Sequence, residues 1–290
     1  MSAPLTAPAA VVLAAGQGTR MRSRIPKVLH PLAGKPMIEH VLDALAEAGV
    51  ARPVVVVGHG ADAVEAAIAG RAACVRQEPQ LGTADAVRVA LPAVPGDAVE
   101  VLVTMGDVPL QAADGYRSLL EALRGGNAAI ALVAARPADA AGYGRIVRDE
   151  RGGAAAIVEE RDADEATRAI REVNVGTYAF DAAFLRDALP RVSASSSGEY
   201  YLTDLVALAA TAGRTVVVVT APEAADAIGI NDRVALAAAE ERMRRRIAED
   251  HMRNGVTIVD PATTRIDAGV EIGQDARIEP WTILEGATII

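Results

Sequence analysis

The loop Gly16-Gln17-Gly18-Thr19-Arg20-Met21 follows a short apolar run, Ala9 to Leu13, and precedes Arg22, Arg24, Pro26 and Lys27. Glycine lacks the Cβ that would keep a backbone N–H away from a phosphate oxygen, so such a loop between a buried strand and a helix can cradle phosphate. Alone, the loop fits a structural turn equally well. The residue three after Gly18 is Met21, not the third glycine of the dinucleotide fingerprint, and no Lys-Ser/Thr pair makes a P-loop. The basic residues behind it shift the balance. A nucleoside triphosphate carries roughly four negative charges that repel an attacking phosphate, so transfer at the α-phosphorus needs cations converging on the phosphate chain. Arg20, Arg22, Arg24 and Lys27 are candidates, with Pro26 fixing the backbone before the lysine. Each of them alone reads as a solvated surface charge.

Asp107 follows another apolar run, Val99 to Thr104, through Gly106, where a carboxylate can reach into a cleft. Taken singly it is a helix cap or turn former. His30, His40, His59 and His251 share no metal-ligand spacing and pair with no Ser or Cys nucleophile, so they read as structural or surface residues. Cys74, the single cysteine, cannot form an internal disulfide and reads as a small core residue in a strand.

The elements that must position these residues alternate along the chain. Ala9 to Leu13 and Pro53 to Val57 suit strands buried on both faces, and between them Met37, Ile38, Val41, Leu42 and Leu45 keep helical spacing, from Pro36 to a stop at Gly49. A helix from about Thr83 to Leu91, a strand Val99 to Thr104, a helix near Tyr116 to Leu123 and a strand Ala128 to Ala134 continue the pattern. This predicts an α/β fold, a doubly wound, mostly parallel sheet with helices on both faces, whose ligands bind beyond the carboxyl ends of the strands. From Gly142 to Tyr178 the texture changes to short strands, Arg145 to Arg148, Ala155 to Glu159 and Glu172 to Tyr178, which predict an antiparallel insertion walling one side of a cleft. Ser193 to Gly198 reads as a mobile loop. The stretch without Gly or Pro from Asp232 to Asn254 reads as one exposed helix leading away from the domain.

After that helix Ile266, Ile272, Ile278, Leu284 and Ile290 recur every six residues, a period of neither helix nor flat strand. Hexapeptides with an aliphatic lead residue belong to parallel β-helices, which need several repeats to bury a core. Four repeats look cut off rather than capped. The expected division is therefore an α/β domain with the glycine-rich loop over 1–233, which the resemblance given below makes a nucleotidyltransferase domain, a linker helix over 234–254 and an incomplete β-helix over 255–290.

Composition bounds the partners. Asp plus Glu outnumber Lys plus Arg by 38 to 29, so no global positive field draws the chain onto nucleic acid or an anionic membrane. The hydrophobic fraction is 51% with only 3% aromatics, which favours a core of Val, Leu, Ile and Ala. No apolar run reaches the ~18–20 residues that cross a bilayer. The N-terminal residues lack the positive charge of a secretory signal, and a cytoplasmic location is the expectation.

Leu13 to Met21, Pro26-Lys27 and Leu32-Ala33-Gly34-Lys35-Pro36-Met37 together resemble the signature of sugar-nucleotide pyrophosphorylases. Gln77 to Thr83, Gly106 to Leu110, Gly142 to Ile146, Ile157 to Glu160, Asn174 to Gly176, Gly198 to Asp204 and Gly229 to Arg233 narrow the resemblance. In this order, before a hexapeptide repeat, they are similar to the bacterial bifunctional N-acetylglucosamine-1-phosphate uridyltransferase/glucosamine-1-phosphate N-acetyltransferase family. The likeness covers essentially the whole chain.

It implies uridylyl transfer from UTP to N-acetylglucosamine 1-phosphate, giving UDP-N-acetylglucosamine for cell-wall and lipopolysaccharide precursors, and a left-handed β-helix after the linker. Arg20 and Lys27 match catalytic positions, and Asp107 and Asn231 match the ligands of Mg²⁺. Leu13, Ala14, Ala15, Gly16, Gln77, Gly82 and Thr83 match nucleotide-binding positions, with Gln77 and Gly82 on the uracil. Met105, Gly106, Gly144, Glu159 and Asn174 match the sugar side, although relatives often carry an aromatic residue where Met105 stands. The acetyl-CoA site matches no positions here, so acetyltransferase activity is not expected of this chain. Full-length relatives are homotrimers through the β-helix, and a monomer stays open for a shorter chain. Alternatives are a pyrophosphorylase for another pair, such as dTTP or glucose 1-phosphate, and a nucleotide-binding module without turnover. The intact set Arg20, Lys27, Asp107 and Asn231 argues against the last.

Overall fold

The computed structural model describes residues 7–290. In chain order, β1 (Ala9–Ala14) leads through a small hairpin, β2 (Pro31–Leu32) and β3 (Lys35–Pro36), to α1 (Met37–Glu47) and β4 (Val54–Val57). There follow α2 (Ala61–Ala67), β5 (Ala73–Arg76), α3 (Thr83–Ala90), β6 (Glu100–Met105), α4 (Ala113–Gly125) and β7 (Ile130–Ala135). The second half adds β8 (Arg145–Arg148), β9 (Ala154–Val158), α5 (Glu165–Arg168), β10 (Val173–Asp181), α6 (Ala182–Ala188) and α7 (Asp204–Thr211). It closes with β11 (Val216–Thr220), α8 (Ala224–Ala227), α9 (Arg233–Arg253) and the two-residue strands β12 (Thr257–Ile258), β13 (Arg265–Ile266), β14 (Arg277–Ile278) and β15 (Ile283–Leu284).

The main sheet runs β11-β7-β10-β6-β1-β4-β5. β1 is parallel to β4 and β6, β4 to β5, and β7 to β11. Alternate side chains of each central strand enter opposite layers, as a strand period of two requires. Val11, Val54, Val56, Val101 and Val103 pack with α3, α6 and α7, while Val12, Val55, Val57 and Leu102 pack with α1, α2 and α4. Both faces are therefore covered, which is why these strands are continuous Val, Leu and Ala runs rather than alternating ones. Among the described residues no helix is long and apolar enough to cross a membrane.

The doubly wound α/β sheet agrees with the alternation read from the chain, and three details differ. The piece beginning at Glu172 is not part of a separate antiparallel wall. As β10, Val173–Asp181, it lies between β6 and β7, antiparallel to both, and only its first residue pairs with β8. Tyr178 and Phe180 fill one layer and Val173, Val175 and Ala179 the other, so this is a central strand. Local sequence reveals a strand but not its partners. The second difference is α2, whose seven residues, ADAVEAA, bury only Ala61 and Val64, too few apolar positions to set up a period.

The third is α9. Its start is as read, with Asp232 Oδ1 accepting from the Ala235 N–H at 2.8 Å. It does not lead away from the domain. Ala239 and Met243 pack with Leu32, Ala33, Met37, Leu110 and Ile230, and Arg246 donates to the Leu110 carbonyl at 2.9 Å. Charge dominates the helix, with pairs such as Arg244–Glu240 and Arg245–Glu241 four residues apart, and hides a narrow small-residue stripe.

Beyond α9, Arg265 pairs in parallel with Ile283 and Ile266 with Leu284, three hexapeptides onward, as does Glu271 with Ile289. Such pairing joins the same side of successive coils of a three-sided solenoid. Ile258, Ile266, Val270 and Ile278 are buried together with Ala248 of α9, whereas Ile289 and Ile290 are exposed.

Candidate active site

Four parallel strands, β6, β1, β4 and β5, end side by side at one edge of the sheet. Leu13 pairs with Met105, and the Leu13 carbonyl accepts from the Gly106 N–H at 2.9 Å. The Gln77 N–H reaches the Val57 carbonyl at the same length, 2.9 Å, so Gln77 extends the edge by one residue. A cavity of ≈350 Å³ opens there, bounded by Leu13 to Gly16, Lys27, Gln77, Gly82, Met105, Asp107 and Glu199 among others. A larger cleft, ≈760 Å³, lies between α9 and Asp260–Thr264, but its Glu240, Glu241, Arg244 and Arg245 already neutralise one another.

At the floor of the smaller cavity Lys27 Nζ donates to Asp107 Oδ2 and, at 3.0 Å, to Asn231 Oδ1. These residues are 80 and 204 positions from the lysine in sequence. Asn231 has no freedom to present its nitrogen instead, because Nδ2 donates to the Gly229 carbonyl at 3.2 Å. The Ile230 N–H donates to the Asp107 carbonyl at 2.9 Å and locks the two segments together. Two oxygens thus converge on one cation position. Among the described residues no group of three or more His, Cys, Asp or Glu side chains gathers in a cage. A carboxylate and an amide oxygen at an open cavity suit a hard divalent ion that keeps waters and takes phosphate oxygens, as Mg²⁺ does.

Gly18 explains how Lys27 gets there. At φ +60°, its missing Cβ would sit 2.7 Å from Lys27 Cβ, so the glycine lets the lysine stem cross the loop. Gly16, with open space around its Cα, is the residue of the loop that faces the cavity. The other basic residues do not converge. Arg20, Arg22 and Arg24 are exposed, their side chains form no hydrogen bond or ion pair among the described residues, and Arg20 does not line the cavity. Arg22 adopts a left-handed φ of 47° after the 3-10 turn Thr19–Met21, which turns the chain before Pro26.

The opposite end of the cavity is built by Gln77, Gly82 and Thr83. Gly82 has φ +107°, and a Cβ there would lie 2.5 Å from the Tyr200 carbonyl oxygen. The loop is stitched to the 200–202 segment: Tyr200 N–H donates to Leu81, Ala84 N–H to Tyr200, and Leu202 N–H to Thr83 Oγ1 at 2.9 Å. That segment also reaches the sugar-side residues, since Thr203 Oγ1 donates to Glu159 Oε1 at 2.9 Å.

Gly144, Glu159 and Asn174 do come together. The Asn174 N–H donates to the Gly144 carbonyl at 2.9 Å, and a Cβ on Gly144 would meet Glu159 Oε2 at 3.4 Å. Asn174 Nδ2 donates to the Tyr178 hydroxyl at 2.7 Å. Met105 packs against Gly176 and lines the cavity, whereas Gly144, Glu159 and Asn174 are not among its lining residues. Sequence reading missed Thr203 and Glu199, although both lie in the Gly198–Asp204 stretch. It assigned His40 correctly, whose ring Nε2 meets the Leu32 carbonyl at 2.8 Å and braces the β2–β3 hairpin.

Burial pushes the Glu159 carboxyl above the ordinary glutamate range, against the hydrogen bond from Thr203. The folded protein therefore binds this proton more tightly than the unfolded chain, and stability is lost as pH rises from the ordinary value through the raised one. Glu159→Gln is expected to raise the thermal unfolding midpoint at neutral pH and to leave it unchanged below about pH 4. An equal gain at both pH values would place the effect elsewhere.

Residues 10–173 match the model of the MobA-like NTP transferase domain, more than half of the chain. The chain belongs to the MobA-like NTP transferase family. Two curated relatives, each named bifunctional protein GlmU, are 48% identical over 282 residues, 97% of this chain; they come from an Exiguobacterium and a Geobacillus species. The chain spans 62% and 61% of their lengths, so it is GlmU-like almost throughout while matching only part of either relative. A crystal structure described as a glucose-1-phosphate thymidylyltransferase from Bacillus anthracis superposes with a TM-score of 0.67 at 18% identity, covering 81% of this chain and 94% of that one. At that identity the likeness carries the fold alone. The MobA-like domain ends at residue 173, so its match holds the loop, Lys27, Gln77 and Asp107, whereas Asn231 and Thr203 lie outside it. The activity of the family is nucleotidyl transfer.

Proposed function

We propose that the chain transfers a uridylyl group from UTP to N-acetylglucosamine 1-phosphate, releasing pyrophosphate. The observation that carries this reading is the convergence of Lys27, Asp107 and Asn231 beside the exposed Gly16, at the carboxyl edge of the sheet. The uridine end rests on Gln77 and Gly82, and the acetylated sugar on Gly144, Glu159 and Asn174, as the resemblance implies. The 48% identity to the two GlmU relatives over 97% of this chain supports the resemblance from which this pair is taken.

In this mechanism a phosphate oxygen of the sugar phosphate attacks the α-phosphorus in line with the departing pyrophosphate. The attacking group is already an anion, so no side chain need remove a proton. The protein's contribution is position and charge neutralisation. The Gly16 loop offers backbone N–H groups to the phosphates, and Lys27 supplies an ammonium against the charge that builds there. Arg20 is exposed and its side chain has no partner among the described residues, so it is free to turn toward the same phosphates. Asp107 and Asn231 would hold Mg²⁺, which would supply Lewis-acid stabilisation of the charge on the phosphates. Glu159 and Asn174 would accept and donate hydrogen bonds to sugar hydroxyls and the acetamido group.

Chelation tests the metal. With excess EDTA, pyrophosphate release from the two substrates is expected to stop and to return on adding Mg²⁺ beyond the chelator. Undiminished release in EDTA would remove the ion from the mechanism. The second reading, another nucleotide and sugar phosphate pair, is separated from the first by pyrophosphate release across a panel of nucleotides and sugar phosphates.

A further inference from the structure

Gln77 follows β5, and its side chain is almost wholly buried, with 3% of the residue exposed. Its amide nitrogen donates twice, to the Gly82 carbonyl at 3.0 Å and to Asp85 Oδ2 at 2.8 Å. Both partners are pure acceptors, because a carbonyl and an ionised carboxylate carry no proton to give. The amide therefore has one orientation: a flip would set its oxygen against two other oxygens. Nε2 has spent both protons inside the protein. Oε1 accepts from no group among the described residues, and Gln77 lines the cavity.

Asp85 is itself held in place. It stands in the first turn of α3, with its side chain 14% exposed, and Arg88 approaches its other oxygen, Oδ1, at 3.5 Å. The Arg88 guanidinium lies over the Tyr200 ring, 4.8 Å from its centroid. Tyr200 is the residue whose backbone backs Gly82. A continuous set of contacts thus runs from the segment behind the cavity, through Arg88 and Asp85, to the orientation of one amide.

We propose that Asp85 is a positioning residue that sets base specificity. By fixing the Gln77 nitrogen it presents an acceptor, and only an acceptor, to the base. Uracil carries a donor, N3–H, at the edge such an oxygen can meet. Cytosine carries an acceptor at N3 and is repelled. The inference rests on the reading that the base of the nucleotide lies against Gln77. It does not separate uracil from thymine, which share the N3–H.

The test is the ratio of kcat/KM for UTP to that for CTP, measured by pyrophosphate release with N-acetylglucosamine 1-phosphate. The ratio is internal to each protein preparation, so partial loss of folded enzyme cancels. Wild type is expected to favour UTP, and Asp85→Ala to lose about tenfold of that preference, the effect of removing one hydrogen bond to a charged partner. Asp85→Asn keeps an acceptor for Nε2 and is expected to retain the ratio within about threefold. If Asp85→Ala lowers both rates and leaves the ratio intact, Asp85 only supports the helix and the proposal falls. If wild type shows no preference for UTP over CTP, the uridylyl reading itself fails, a result seen before any variant is made.

Discussion

Asp107→Ala is expected to lower kcat for pyrophosphate release by about a thousandfold or more while leaving the protein folded. The size follows from what the carboxylate does: removing one preorganised electrostatic contact from a water-poor transfer site typically costs 10²–10³ in rate, and here the group would also hold the metal. The fold should survive because the turn is held by its backbone. Ile230 bonds to the Asp107 carbonyl, which alanine keeps, and Lys27 retains Asn231 as a partner. Removing one partner of a largely buried ion pair costs about 3–5 kcal/mol, a cost lessened here because Lys27 opens onto the cavity and keeps its bond to Asn231. The checks are steady-state kinetics and circular dichroism on one preparation. Near-normal turnover would take Asp107 out of the reaction, and a collapsed spectrum would make its role structural.

Gly82→Ala is expected to act on both substrates through one strained bond. Its φ of +107° lies in backbone space that side chains rarely enter, and the new methyl would meet Tyr200 backbone at 2.5 and 2.8 Å, where no flexible side chain can yield. The strain alone costs about 1–3 kcal/mol. Relief requires the Leu81–Thr83 turn to part from Tyr200, breaking the bonds that stitch it to the segment carrying Thr203 and so loosening Glu159 as well. The expected result is a KM for UTP raised at least about tenfold, a raised KM for the sugar phosphate and a lower unfolding midpoint. A rise confined to UTP would mean that the two walls are not coupled through this turn.

Much of the framework was legible in the chain. Continuous Val and Ala runs mark strands buried on both faces, and the Asp232 cap marks where the last helix starts, because each is dictated by residues within a few positions. The place of β10 was not legible, since a buried strand carries no record of whether it joins a central sheet or a flanking wall. Nor was the course of α9, whose contact stripe of Ala239 and Met243 is thin beside its charges. The basic cluster shows the same limit at the site. Four cations close in sequence suggest a joint phosphate clamp, yet only Lys27 is carried inward, by a glycine that admits its stem. Its partners lie far along the chain, and spacing rules have no reach over such distances. Asp85 carries no signal in the sequence, because the contact that gives it meaning is with Gln77, a side chain just past the end of β5.

The central claim is the substrate pair, and the most direct measurement is pyrophosphate release across a panel of nucleotides and sugar phosphates with Mg²⁺ present. UTP, dTTP, CTP and ATP would each be offered with N-acetylglucosamine 1-phosphate, glucosamine 1-phosphate and glucose 1-phosphate. Release is expected to be fastest with UTP and N-acetylglucosamine 1-phosphate and to require both together. Release with dTTP and glucose 1-phosphate, and none with the predicted pair, would contradict the assignment.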